Sequence, residues 1–259
     1  MSKNLLRTVW IRRSLIWLFT VTDLKLRYKN SVLGFFWSFL EPLLMLGVFY
    51  VVFTSIFKNQ VENYPLYLLS GLVIWYMFSR GTSMGMNSMI GRGGMLQKIY
   101  FRREILVISS VLTSFLMMLF ELGVFFIFMI IFGVIPNASI IVFPLVLINL
   151  FFLTLGISFI LGPLNVYLKD IQYIWNIVLT AGFFVVPLFY KMDVLPENVI
   201  EILKINPLVG IFDLSRAMLI NTEMPNSGEI LSMVGITLIV LVAGYLVFKK
   251  LDYRLVENL

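Results

Sequence analysis

Three ionisable side chains sit inside long apolar runs: Glu41 within GFFWSFLEPLLMLGVFYVVF, Arg80 within LYLLSGLVIWYMFSRG and Glu121 within LMMLFELGVFF. In hydrocarbon an ionised group costs about 2.5–3.5 kcal/mol by insertion scales unless it faces protein or water, so such residues mark a pathway, a relay or a buried pair. Glu41 is followed by Pro42, which removes a helical hydrogen bond and bends the helix where the carboxylate sits. Counting about 1.5 Å per residue from the ends bearing the cations places Glu41 roughly 10 Å in, Arg80 roughly 15 Å in and Glu121 roughly 24 Å in. Depth therefore predicts that Glu41 pairs with Arg80 on the adjacent span and that Glu121 faces water or another partner. Such a pair either serves transport or only fixes a kink.

The elements that must position these charges are membrane helices. Of 259 residues, 60% are hydrophobic and 13% charged, with a mean hydropathy of +0.95, and a soluble domain of that composition could not cover its core with polar surface. The expected fold is an all-α polytopic membrane protein. Cysteine and histidine are absent, which excludes disulfides, thiolate chemistry, the usual zinc sites and histidine base catalysis. A net charge of +6 could suggest nucleic acid, but in a membrane chain the distribution of cations matters more than their total.

Spans of about 20 apolar residues are predicted at 34–57, 66–90, 105–132, 140–162, 173–190 and 230–248, six in all. One side of this layout collects fifteen cations and five acids, the other four cations and seven acids. By the positive-inside rule both termini are cytoplasmic. Residues 1–33 form a separate basic part, in which Arg7, Arg12 and Arg13 alternate with Leu5, Leu6, Val9, Trp10, Ile16 and Trp17. It reads as an amphipathic helix in the membrane interface or packed on a partner. The apolar block Leu15–Phe19 is too short for a signal peptide. Residues 34–259 form the transmembrane part, which includes a basic loop at 91–104 and a segment at 191–228.

That last segment holds apolar runs at 199–205 and 208–220, separated by Asn206-Pro207. Thirteen helical residues rise only about 20 Å, short of the hydrocarbon core, so these read as re-entrant or interfacial helices, closing a pore or capping the bundle. Among the aromatics, Trp37, Trp75, Tyr76, Tyr173, Trp175 and Tyr190 lie toward span ends, where an interfacial belt is expected. Phe183, Phe184 and Phe189, beside Pro187, either line a passage or pack helices.

Four ordered stretches, RYKNSVLGFFWSFLEPLL (27–44), QKIYFRREIL (97–106), LNVYLKDI (164–171) and INPLVGIFDLSRAML (205–219), resemble the signature blocks of ABC-2 type permeases, specifically the branch exporting O-antigens, teichoic acids and capsular polymers. The resemblance spans nearly the whole chain. It implies a homodimer of six-span subunits above two separate ATPase subunits, in a bacterial inner membrane, exporting an undecaprenyl-diphosphate-linked glycan. It implies an N-terminal interface helix, a coupling region at Gln97, Lys98, Tyr100, Phe101, Arg102, Arg103 and Glu104, and gate helices after the fifth span; Pro207, Phe212, Tyr190 and the three phenylalanines are the candidate channel or gate residues. Ile99 and Phe101 would be available to dock on the partner.

No G-x-x-x-x-G-K-[ST] occurs in the sequence, so a P-loop for nucleotide is missing. ATP and magnesium are expected in the partner, and no catalytic residue, cofactor or metal ligand in this chain. Arg27, Tyr28 and Lys29 are placed to meet a lipid diphosphate at the cytoplasmic leaflet, or the cations only set topology. Two other classes compete. A membrane transferase acting on lipid-linked sugars needs clustered carboxylates, whereas Asp23, Glu104, Asp170, Asp252 and Glu257 are scattered. An ion-coupled secondary transporter is expected to show an internal repeat, and the two halves share none.

Overall fold

The computed structural model describes residues 10–55, 63–96, 101–135, 137–221 and 223–252. Among them every regular element is helical. The helices are α1 (Arg13–Tyr28), α2 (Trp37–Ser55), α3 (Tyr64–Asn87), α4 (Gly93–Leu96), α5 (Glu104–Ile131), α6 (Phe143–Tyr167), α7 (Ile171–Val185), α8 (Glu197–Lys204), α9 (Pro207–Leu219) and α10 (Ser227–Leu251). By length and composition three segments can cross a membrane: α5, α6 with the 3-10 turn before it, and α10. The apolar helices α2 and α7 are shorter.

The core sits around α3, which packs on α2, α5, α6, α7 and α9 and is buried along most of its length. Small residues bring the backbones together, because in lipid helices associate by close contact and not by expelling water. A Cβ added at Gly81 would lie 2.7 Å from Thr154 of α6, and one at Gly85 would lie 2.5 Å from the Ser158 hydroxyl. Between α6 and α10 the approach is closer still, with a Cβ at Gly244 falling onto the Gly156 carbonyl. Gly244→Leu is therefore expected to abolish monodisperse protein in fluorescence-detected size exclusion. Gly235→Leu on the same helix, where nothing lies within 4 Å, should leave the profile unchanged.

Several boundaries depart from the sequence pattern. The proline at 163 does not end the fourth helix, which runs on to Tyr167. Asn165 of that extra turn is fully buried and donates to Asn87 Oδ1 at 3.1 Å, an anchor that offsets the hydrogen bond Pro163 cannot make. The fifth helix stops at Val185, not at Tyr190, because Val186 precedes Pro187 and takes the extended conformation that position favours. Phe189 and Tyr190 thus lie in an irregular strap. Trp75 and Tyr76 are not belt residues, since they lie in the middle of α3 and Trp75 is buried there. Trp175 likewise turns inward and donates from Nε1 to Thr82 Oγ1 at 3.1 Å. The short runs at 199–205 and 208–220 form α8 and α9, and α9 is opened by Asn206, which accepts from the Leu208 N–H at 3.0 Å, and by Pro207 in the first turn.

Candidate functional site

Arg80 pairs with Glu121 and not with Glu41. Its Nη2 donates to Glu121 Oε1 at 2.5 Å, and the glutamate is 1% exposed. Counting depth misjudged the pair for two physical reasons. A 28-residue helix such as α5 is about 42 Å long and overshoots a hydrocarbon core of about 30 Å, so its first residue is not at the membrane edge. Side chains also lean toward the N-terminus of their own helix. Because α3 and α5 run antiparallel, Arg80 and Glu121 lean toward each other.

Glu41 is exposed, yet it shares a cavity with Arg80. About 290 Å³ of space is lined by Arg27, Glu41, Tyr76, Ser79, Arg80 and Ser83. A neighbouring cavity of about 440 Å³ is lined by Arg27, Tyr28, Trp37, Glu41 and adjacent apolar residues. Arg27 at the end of α1 and Glu41 in α2 border both. The two helices are held together by a 2.5 Å hydrogen bond between the Tyr28 hydroxyl and Ser38 Oγ. Lys29 is exposed and stands outside both linings. Tyr76 Oη, Arg80 Nε and Glu121 Oε2 are buried without a hydrogen-bond partner among the described residues. Each such group costs about 1–3 kcal/mol, and two of the three, on Tyr76 and Arg80, belong to residues that line the smaller cavity. Two guanidiniums set on one cavity wall can take an anion with two phosphoryl groups.

Beyond these charges lies an aromatic cluster. Phe189 stacks on Phe53 at 4.8 Å and meets Phe49 at 4.8 Å and Phe183 at 4.9 Å, while Trp75 closes on Phe183 at 5.7 Å. Phe189 and Phe212 are buried within the single chain, and Phe184 is 64% exposed. The strap sets the Phe189 ring between aromatic side chains of α2 and α7, where it is buried within the chain. The Tyr190 hydroxyl donates back to the Val185 carbonyl at 2.6 Å.

At the end where α3 meets α4, three distant parts of the chain converge. Arg92 pairs with Asp23 of α1 and lies 4.8 Å over the Phe19 ring. Phe101, expected to be available for docking, packs on Phe19 at 6.0 Å. Arg103 donates to Asp252 Oδ1, just past α10, at 2.5 Å, and Arg102 donates to Glu104 at 2.8 Å. Gln97, Lys98 and Tyr100 lie outside the described residues.

At the other end the decisive residue is Arg216, which the sequence pattern offers only as one of four cations on that side. Its guanidinium, 5% exposed, donates from Nη1 to the Tyr67 hydroxyl at 2.8 Å and the Pro187 carbonyl at 2.5 Å, and from Nη2 to the carbonyls of Leu188 at 3.0 Å and Tyr67 at 3.4 Å. The Tyr67 hydroxyl in turn donates to the Tyr190 carbonyl at 2.6 Å. One side chain thus ties α9, α3 and the strap together. The mark of this in the sequence is slight: an arginine, with Asp213 and Ser215, on a mostly apolar short helix.

The family described as ABC-2 type transporter matches residues 14–220. An O-antigen export system permease protein RfbA of Klebsiella pneumoniae is 31% identical over 242 residues, covering 93% of each chain. The protein of the same name from Myxococcus xanthus is 26% identical over 258 residues, covering 99% of each chain. The polysialic acid transport protein KpsM of Escherichia coli is 22% identical over 247 residues, covering 91% of this chain and 93% of its own.

Proposed function

Because the chain belongs to the ABC-2 type transporter family, we propose that it is the permease subunit of an exporter that moves a lipid-linked polysaccharide, an O-antigen ahead of teichoic acid or capsule, out of the bacterial cytoplasm. The observation that carries this reading is the end-to-end likeness to permeases named for O-antigen export. The chain crosses the inner membrane six times with both termini inside: α2, α3 and α7 join the three long apolar helices, and the Arg80–Glu121 pair removes most of the cost of charge within α3.

Two copies form the conduit. In support of this, α7 buries none of its own residues within one chain, and Tyr173, Ile177 and Phe184 are exposed along it. Two ATP-hydrolysing subunits, which hold the magnesium and nucleotide, dock at the end where Arg92, Phe101 and Arg103 tie α1 and the end of α10 to the chain between α3 and α5. Movement there is passed to α3, α5 and α10 at once. The lipid diphosphate lies against Arg27 and Arg80, with Tyr28 at its edge and Glu41 as the opposing charge that keeps binding reversible.

The test is reconstitution of this subunit with its ATPase partner in proteoliposomes supplied with an undecaprenyl-diphosphate-linked glycan. ATP-dependent appearance of glycan on the far side is expected, and Arg27→Ala should lower it while the complex still assembles. Glycan movement that proceeds equally well without this subunit would rule the reading out.

A further inference from the structure

The strap, the start of α3 and α9 enclose a cavity of about 520 Å³ at the end of the bundle far from α1, within the range of about 300–1,000 Å³ usual for small-molecule sites. Its wall carries Asn63, Lys191, Asp193, Asp213, Arg216 and Asn221, which amounts to two cations, two carboxylates and two amides. Four of the five N–H donors of Arg216 are spent on Tyr67, Pro187 and Leu188. The fifth, on Nε, is buried without a partner among the described residues. The backbone carbonyls that hold the guanidinium also fix its orientation, so the cavity is shaped before anything enters it.

The charge balance decides what class of molecule fits. An anion would meet Asp193 and Asp213, and a cation would meet Lys191 and Arg216. An apolar guest would offer nothing to the two carboxylates, the two amides, the Lys191 ammonium or the Arg216 Nε–H. A neutral molecule rich in hydroxyls, each both donor and acceptor, satisfies carboxylates, amides and N–H donors together. We propose that this cavity binds a neutral sugar residue of the exported glycan on the extracytoplasmic side, an assignment that rests on the export reading above. Tyr67 does not offer its ring as a stacking platform, since the guanidinium lies 3.5 Å over it. Recognition is therefore by hydrogen bonds, and it should discriminate between sugars of different hydroxyl configuration.

The experiment uses the full chain in lipid nanodiscs at about pH 8. Burial pushes Asp213 up to about 6 despite the attraction of Arg216, so its carboxylate is ionised under those conditions. The probes are the methyl glycosides of glucose, galactose and mannose, with glucuronate and inorganic phosphate as anionic competitors, read by saturation-transfer NMR. At least one hexoside is expected to bind saturably, and neither anion should displace it. Asp213→Asn and Asn221→Ala should each weaken binding about 10-fold, the scale of one lost polar contact. The exposed positions Lys191→Ala and Asp193→Ala carry the same comparison where a partly buried change disturbs folding. The absence of saturable binding by all three hexosides, binding unaltered by every substitution, or a preference for glucuronate or phosphate would each overturn the assignment. Binding that persists in a protein unable to export glycan with its ATPase would overturn the export reading and leave the sugar site standing.

Discussion

Arg216→Lys is expected to unseat α9 from α3 and to lower the thermal midpoint of the detergent-solubilised protein by about 6–12 °C. A planar guanidinium reaches the Tyr67 hydroxyl, two strap carbonyls and the Tyr67 carbonyl at once, whereas an ammonium is a point charge on a flexible stem and cannot span that set. Losing two hydrogen bonds to a charged group costs about 3 kcal/mol or more. For a protein of this size each kcal/mol is worth about 2–4 °C, which gives the stated shift. The strap at 186–190 should also become open to limited proteolysis, since its carbonyls lose their donor. A midpoint within about 2 °C of the parent would show that apolar packing of Phe212 and Leu214, and not the guanidinium, seats α9.

Glu121→Ala is expected to be more damaging than removing the whole ion pair. The single change leaves Arg80, whose side chain is 9% exposed, as an uncompensated buried charge at a cost of about 3–5 kcal/mol, while replacing both partners by apolar residues is commonly neutral or stabilising. Arg80→Met with Glu121→Leu should therefore restore the midpoint that Glu121→Ala loses. Export should not recover with it, because the double variant removes one of the two guanidiniums facing the cavity shared with Arg27 and Glu41. Equal stability of the single and double variants would contradict the pairing, and full export by the double variant would contradict a diphosphate at Arg80. Glu41→Gln, at an exposed position, should change export more than stability.

What the sequence made legible was governed by local chemistry. Composition and length alone mark α5 and α10, and Asn206-Pro207 marks the start of α9 by cap chemistry that needs no tertiary partner. The 205–219 block of the family resemblance coincides with α9. What stayed hidden depended on neighbours. Pro163 reads as a helix end because the Asn165–Asn87 contact that carries the helix past it joins residues 78 apart. Glu41 and Arg80 do share a cavity, as their similar depth suggests, yet the arginine's partner is chosen by the lean of side chains on antiparallel helices. Arg216 was least visible of all, because most of its acceptors are main-chain carbonyls, which leave no trace in residue identity.

That choice of acceptors also shapes how relatives can drift. A carbonyl is offered by any residue, so the hydrogen bonds to Arg216 do not by themselves demand proline at 187 or leucine at 188; Pro187 is held by the end of α7 and Leu188 by its own burial. Gly71 is not free, because a methyl group there would come within 2.8 Å of Arg216 Nη2. Substitution at the two positions should therefore be coupled through evolution: lineages that keep the arginine at 216 keep glycine at 71, and those that lose it are released to accept alanine or serine there. A large alignment would show this as covariation between 71 and 216, across 144 intervening residues.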